Sequence, residues 1–408
     1  MLHYAIILAH MRIVRGLKSI NERFPKPVLT LGNFDGVHRG HQAIFKKVIE
    51  RAREIGGMGI AFTFEPHPLK VLAPDRSPRL LNTFHGKMKL FAAAGIDLVI
   101  CANFTRAFAD QNPEDFAREV LHEKIGVSEV YVGYDYAFGK GREGSIESLK
   151  KMGQVYGFHV GVVEAVQVNG VNVSSSMIRD MISSGRVEEA AKLLDRFYSI
   201  EGEVVHGSHR GQTLGFPTAN LRTANELLPA FGVYAVIADM DNRLHKGVAS
   251  IGVRPTFDAG PVSIEVYLFD LQGELYGKQM EVSFVQRLRG EEKFPDADTL
   301  VKQIRQDVKN AELYFQHIHW LQERFPNAAF EDVTGLCKLA TPEEVQEQDY
   351  SLNPGRYVGV VIEEDGMTEE EFVSEIRKLN NKLFFLNKTA NELSGMIQSN
   401  IDFIADDE

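Results

Sequence analysis

Between residues 26 and 165, short apolar runs alternate with stretches whose apolar residues recur every three or four positions. The runs 26–32, Gly59–Phe64, Asp97–Cys101, Glu129–Gly133 and Phe158–Val163 read as strands: they are brief and rich in β-branched or aromatic residues. Helical periodicity fills the gaps, as in Gln42–Ile55, His85–Ala94 and Pro113–Ile125, and a further helical stretch, Ser176–Leu194, closes the region. Such alternation predicts an α/β domain with a parallel, doubly wound sheet.

After Arg196 the pattern changes. The runs Ile200–Val205, Gly232–Ile237, His245–Ile251, Val262–Phe269 and Gln279–Val285 are β-like and separated by Gly, Pro, Asn and Asp. A helix, Ala297–Phe315, comes only after Pro295. Strands in a row followed by one helix predict a small antiparallel β-barrel. Farther on, Phe372, Ile376, Leu379, Leu383, Leu386, Ala390, Leu393 and Ile397 follow a 4-3 spacing, a heptad seam. The expected domains are 11–195, 196–315 and a helical tail 316–408 with a heptad helix over 368–398.

Composition adds bounds. With 408 residues, 44% hydrophobic and 25% charged, the chain reads as a soluble globular protein of two or three domains. Its net charge of −11 is unevenly spread: residues 331–408 hold 18 acidic and 6 basic side chains, and the other 38 acidic and 39 basic side chains nearly cancel. The first 330 residues therefore show no nucleic-acid footprint. Two distant cysteines, Cys101 and Cys337, exclude a disulfide framework and a cysteine-based zinc site, and fit a cytoplasmic protein. Residues 1–10 are too short an apolar start for a signal segment or a membrane span, and Met11-Arg12-Ile13-Val14 reads as an alternative beginning.

The candidate chemistry begins at Gly32-Asn33-Phe34-Asp35-Gly36-Val37-His38-Arg39-Gly40-His41, between the first strand and the first helix. Two histidines three apart share one face of the opening turn, glycines allow close backbone approach, and a helix N-terminus offers free N–H groups. That is a phosphate site, and the helix dipole favours neutral imidazoles there. Alone, His-x-x-His is more often a solvated pair; the strand–glycine–helix setting gives it meaning. Likewise Ser174–Ser176 alone would be a helix cap and Arg179 a surface charge. A second cluster, Gly207 to Asn220, holds Gly207, Arg210 and Gly211 for phosphate contact, and Thr218 and Asn220 two apart on one strand face. A hydroxyl and an amide oxygen are hard donors suited to Mg²⁺.

These motifs resemble a known family. The decapeptide resembles the Gly-x-Phe-Asp-x-x-His-x-Gly-His signature of nucleotidyltransferases, and Leu31–His41 is similar to their flavin branch, the prokaryotic FAD synthetases. Thr63–Pro68, Gly133–Gly139 and Ser174–Arg179 resemble that family's later segments in order, and Gly215–Asn220 resembles its riboflavin kinase signature. The resemblance, over about 11–315, implies a Rossmann-like adenylyltransferase domain followed by a barrel kinase. It further implies phosphorylation of riboflavin to FMN, then adenylylation of FMN to FAD, with ATP and Mg²⁺.

By resemblance, His38, His41 and Glu265 are catalytic. Gly32, Phe34, Asp35, Gly40, Ser175, Ser176 and Arg179 serve ATP at the first site, and Asp135 and Phe138 the flavin. Arg287 and Arg289 carry two alternatives, flavin contact or surface charge. Position 176 is Ser where the family usually has Thr, and 136 is Tyr where Phe is usual. The tail around Asp349–Gly359 resembles the C-terminus of type I restriction-modification methyltransferase subunits, without their catalytic motif, so no DNA methylation is expected. Its seam suggests self-association, a helical partner, or packing on its own domain. The competing readings are a nucleotidyltransferase with another acceptor and an inactive restriction-system accessory fusion.

Overall fold

The computed structural model describes residues 11–207, 214–253, 262–269, 271, 273, 275–327, 329, 331–351, 353–359 and 369–405. Chain contacts divide it into two units, 1–317 and 318–408.

The first unit opens with β1 (Arg12–Arg15), β2 (Pro27–Leu31), α1 (Arg39–Ile55), β3 (Met58–Glu65), α2 (Pro68–Leu72), α3 (Phe84–Ala93) and β4 (Leu98–Asn103). A short turn, Pro113–Asp115, then runs into a π-helical segment, Phe116–Ile125, where one α-helix is expected from sequence. After it come β5 (Glu129–Gly133), α4 (Ile146–Tyr156), β6 (His159–Val163) and the two-residue strands β7 (Gln167–Val168) and β8 (Val171–Asn172). The first six strands form one parallel sheet in the order β1-β4-β3-β2-β5-β6. β2 is the switch point: the chain winds outward to β3 and β4, then returns to add β5 on the other side. In open parallel sheets ligands bind beyond the strand ends at that place. β2 is buried along its whole length, and α1 packs Phe45, Val48, Ile49 and Ala52 onto the sheet at helical spacing.

The expected helix Ser176–Leu194 is two helices, α5 (Ser175–Ser183) and α6 (Val187–Leu194). Gly185 breaks them with φ of +81°, a conformation open to glycine at little cost. Six antiparallel strands follow: β9 (Tyr198–Val205), β10 (Ala219–Thr223), β11 (Gly232–Met240), β12 (Arg243–Val253), β13 (Val262–Leu268) and β14 (Gln279–Gly290). They close into a barrel in the order β10-β13-β12-β11-β14-β9, as the sequence predicts. Ile178, Ile182, Leu193 and Leu194 of α5 and α6 share one hydrophobic core with barrel residues such as Tyr198, Tyr234 and Phe284. The expected boundary at 195 therefore runs through continuous packing.

α7 (Ala297–Arg324) buries Asp307, Ala311 and Phe315. The second unit contains α8 (Pro342–Glu347), begun by a reciprocal Thr341–Glu344 capping box, and α9 (Glu369–Ala405). Five seam residues of α9, from Ile376 to Leu393, are about half exposed within that unit.

Candidate active sites

The chain between β2 and α1 is a strained turn. Phe34 and Val37 have φ of +51° and +42° on either side of Gly36 at +84°. For a β-branched residue such as Val37 this conformation costs about 1–3 kcal/mol, so surrounding structure must hold it. A side chain at Gly36 would strike Leu81, 2.5 Å away. The turn delivers His38 to the N-cap of α1, where no side chain caps the free N–H groups. These amides remain available to an anion.

His38 and His41 lie ring over ring, with centroids 3.6 Å apart and planes 19° from parallel. Gly40 leaves room for this stack, since a Cβ there would sit 3.2 Å from the His38 ring. Burial, aided by the Arg196 and Arg179 charges, lowers the His38 pKa to about 4. Burial and the neighbouring His38 hold His41 well below the ordinary histidine range. Both rings are therefore neutral near pH 7, as expected from sequence. Each keeps its Nδ1 buried without a hydrogen-bond partner, as does Arg179 with its Nε. Unpartnered buried polar atoms are rare, and three of them gather on these candidate side chains.

Asp35, 5% exposed, ties α5 to this turn. Its carboxylate accepts from Arg179 at 2.9 Å and from the Leu81 N–H, and its carbonyl accepts from the Ser175 hydroxyl at 2.9 Å. Burial raises the Asp35 pKa, against the pull of Arg179. Asp35 is thus an anchor for both phosphate-binding candidates, holding Arg179 by its carboxylate and Ser175 by its backbone carbonyl. Ser176 lies beside Arg179, its hydroxyl accepting at 3.4 Å.

Two adjoining clefts meet here. One, of about 660 Å³, runs from Gly32, His41 and Arg179 to Asp135, Tyr136 and Phe138. Its far end is walled by Phe64, Phe104, Phe108 and Phe116, an apolar slot of the kind a flat ring occupies. The other, of about 500 Å³, is lined by His38, Gly40, Ser174, Ser176 and Arg76. His41, His67, Asp135, Ser175 and Arg179 border both. Phe34 belongs mainly to the core, packed on Phe45 and Phe91 with its edge toward His41.

Sequence reasoning passed over Lys87 on α3. Its ammonium reaches the Asn33 carbonyl (3.4 Å) and the Thr63 hydroxyl (3.3 Å), and burial lowers its pKa. The spacing of α3 alone does not tell such a lysine from a solvated one. His67 is also better defined in three dimensions. Its Nδ1 accepts from the Leu69 N–H, placing the ring proton on Nε2, and burial lowers its pKa to about 4.

The second site lies on the barrel. Asn220 of β10 pairs with Glu265 of β13, and the Thr218 hydroxyl donates to the Glu265 carboxylate at 3.5 Å. Ile264, Val266 and Leu268 point into the core, leaving Glu265 on the opposite face. Gly207 lies against the Asn220 amide, only 2.0 Å from where a Cβ would stand. The hydroxyl and amide oxygens of Thr218 and Asn220 are of the hard kind a divalent cation takes. Arg210 and Gly211 lie outside the described residues.

Arg289 and Arg287 are engaged within the protein. Arg289 forks onto Asp307, 3% exposed, at 2.8–3.0 Å. Arg287 donates to the carbonyls of Phe231 and Ser184.

The comparisons with known proteins agree with this layout. A family model described as FAD synthetase matches residues 20–177, one described as riboflavin kinase matches 194–315, and one described as N-6 DNA methylase matches 285–366. The chain is 35% identical over 312 residues to a bifunctional riboflavin kinase/FMN adenylyltransferase of Buchnera aphidicola, covering 76% of this chain and 99% of that protein. It is 36% identical over 307 residues to the protein so named from Escherichia coli strain K12, covering 75% and 98%. A crystal structure bearing the name macrolide-efflux protein, from Streptococcus pneumoniae, matches with a TM-score of 0.67 and 30% identity, covering 73% of this chain and 97% of that one. The two flavin-family matches, over the sheet and the barrel, make the chain an ATP-dependent transferase. The chain belongs to the bifunctional riboflavin kinase/FMN adenylyltransferase family. Among the described residues, no helix is long and apolar enough to cross a membrane.

Proposed function

We propose that this chain makes FAD in two ATP-dependent steps at two separate sites. On the barrel, riboflavin is phosphorylated to FMN. The terminal ribityl oxygen attacks the γ-phosphorus, ADP leaves, and Glu265 takes the proton. Thr218 and Asn220 would hold Mg²⁺, which when bound neutralises phosphate charge. In the sheet domain, an FMN phosphate oxygen attacks the α-phosphorus of ATP and pyrophosphate leaves. No protein nucleophile is needed; positioning and charge neutralisation carry the reaction.

His38, His41 and the α1 amides would receive the reacting phosphates as neutral donors. Arg179, with Ser175 and Ser176, would supply permanent charge to the distal phosphates. Asp135 and Phe138 would border the flavin end of the cleft. ATP, riboflavin and FMN are the partners of this reading, and the near-neutral enzyme region gives no reason to add nucleic acid. The seam of α9 is suited to self-association or to a helical partner. The observation that carries the reading is the meeting of the stacked neutral histidines, Ser175 and Arg179 at the join of two clefts beyond β2. Purified protein given riboflavin, ATP and Mg²⁺ is expected to yield FMN and then FAD; absence of both products would overturn it.

A further inference from the structure

The segment joining α6 to the barrel is wired into the turn before α1. Arg196 donates to the carbonyls of Gly36 (2.6 Å), Val37 (3.1 Å) and Leu194 (3.1 Å). Gln42, on the first turns of α1, donates to two of the same carbonyls, Val37 (3.0 Å) and Leu194 (2.9 Å). Between them, Asp195 pairs with Arg39. Three consecutive junction residues thus grip the 36–42 segment, and two donors converge on the carbonyl of Val37, whose backbone is the strained one. Nothing in the chemistry of the kinase site calls for this arrangement, because every atom held belongs to the histidine turn or the junction.

We propose that Arg196 is a positioning residue for adenylyl transfer: by gripping the Gly36 and Val37 carbonyls from the domain junction, it fixes the turn that aims His38, His41 and the α1 amides at the phosphates. The proposal rests on the assignment of adenylyl transfer to this cleft. A guanidinium suits the role because its fixed fork binds several carbonyls at once, which an ammonium does not do in one geometry. Its charge also opposes protonation of both histidines. The grip makes the barrel's leading segment part of the other domain's machinery.

The test measures the two steps separately in the full chain, riboflavin phosphorylation and adenylylation of supplied FMN. Arg196→Met is expected to lower kcat for adenylylation by about 10²-fold, the scale of a misplaced reacting group. KM for FMN and ATP should stay within about threefold, and riboflavin phosphorylation within about twofold, since a turn that only misaligns the transition state leaves ground-state binding in place. Gln42→Leu, which removes the other donor to Val37, should show the same kcat-only pattern at about tenfold. Unchanged adenylylation in both variants would overturn the proposal, as would a loss confined to KM or an equal loss of both activities in folded protein. If the wild-type chain itself fails to adenylylate FMN, the failure lies with the assignment of the cleft.

Discussion

The two candidate sites are built by opposite means. The cleft read as the adenylyl-transfer site is assembled from distant segments: stacked neutral histidines, a largely buried Asp35–Arg179 pair and a strained turn gripped from the domain junction. The kinase site is a short constellation on neighbouring strands, with Thr218, Asn220 and half-buried Glu265 placed by sheet register. Adenylyl transfer asks the protein for alignment, so its site invests in rigidity. Phosphorylation of a hydroxyl also asks for a place to put a proton, so an accessible carboxylate is the central feature there.

The largest effect should come from the kinase side. Glu265→Gln keeps the shape and removes the base, and should lower FMN formation by about 10²–10⁴-fold while FAD formation from supplied FMN continues. Equal loss of both steps in a folded variant would erase the distinction between the sites. His41→Ala should do the reverse, lowering adenylylation by about 10²-fold through loss of a preorganised donor and leaving phosphorylation intact.

Arg289→Met tests a different contrast, ligand contact against framework. It would strand the buried Asp307 carboxylate, an expected loss of about 3–5 kcal/mol in urea unfolding with KM for riboflavin unchanged. Unchanged stability with a raised KM would return Arg289 to the flavin.

Acid should act on the first site more than the second. His38 titrates at about 4 when folded and near 6.5 when unfolded, so below pH 6.5 the unfolded chain takes up a proton that the folded one refuses. Stability is then complete above about pH 6.5 and declines toward pH 4. His67 adds to this with the same sign, and Asp35, raised by burial, opposes it in the acid range. The kcat of adenylylation should show no acid limb near pH 6.5; a limb there would mean that His38 is not held neutral. The smallest effect belongs to the tail: a chain ending at Arg324 should retain both activities within about twofold. Loss of either would make 325–408 part of the enzyme.

Much of this was legible in the sequence because it is local. β5 is found at its predicted limits, and the other core strands and α1 differ only at their ends, since period and punctuation are short-range signals. The barrel followed from strands in a row without intervening helices. The misses have two causes, distant pairing and a local break masked by periodicity. β1, Arg-Ile-Val-Arg, carries charges because it is an edge strand pairing only with β4, which no local pattern shows. The helix break at Gly185 hid inside an otherwise continuous apolar period. Candidate site residues were readable where they sit inside motifs, as with His38, His41, Arg179 and Glu265. Lys87 and Arg196 were not, since an isolated basic residue gains its role only from a segment far along the chain. Arg196 and the Gly36 carbonyl are 160 positions apart.

Two independent ATP sites on one chain, linked by released FMN, can be tested by complementation. Glu265→Gln and His41→Ala, each supplied with riboflavin, ATP and Mg²⁺, should separately make almost no FAD. Mixed in one tube they should make it, because FMN formed by the second variant can be adenylylated by the first. No FAD from the mixture, with FMN accumulating, would contradict two independent sites linked by released FMN.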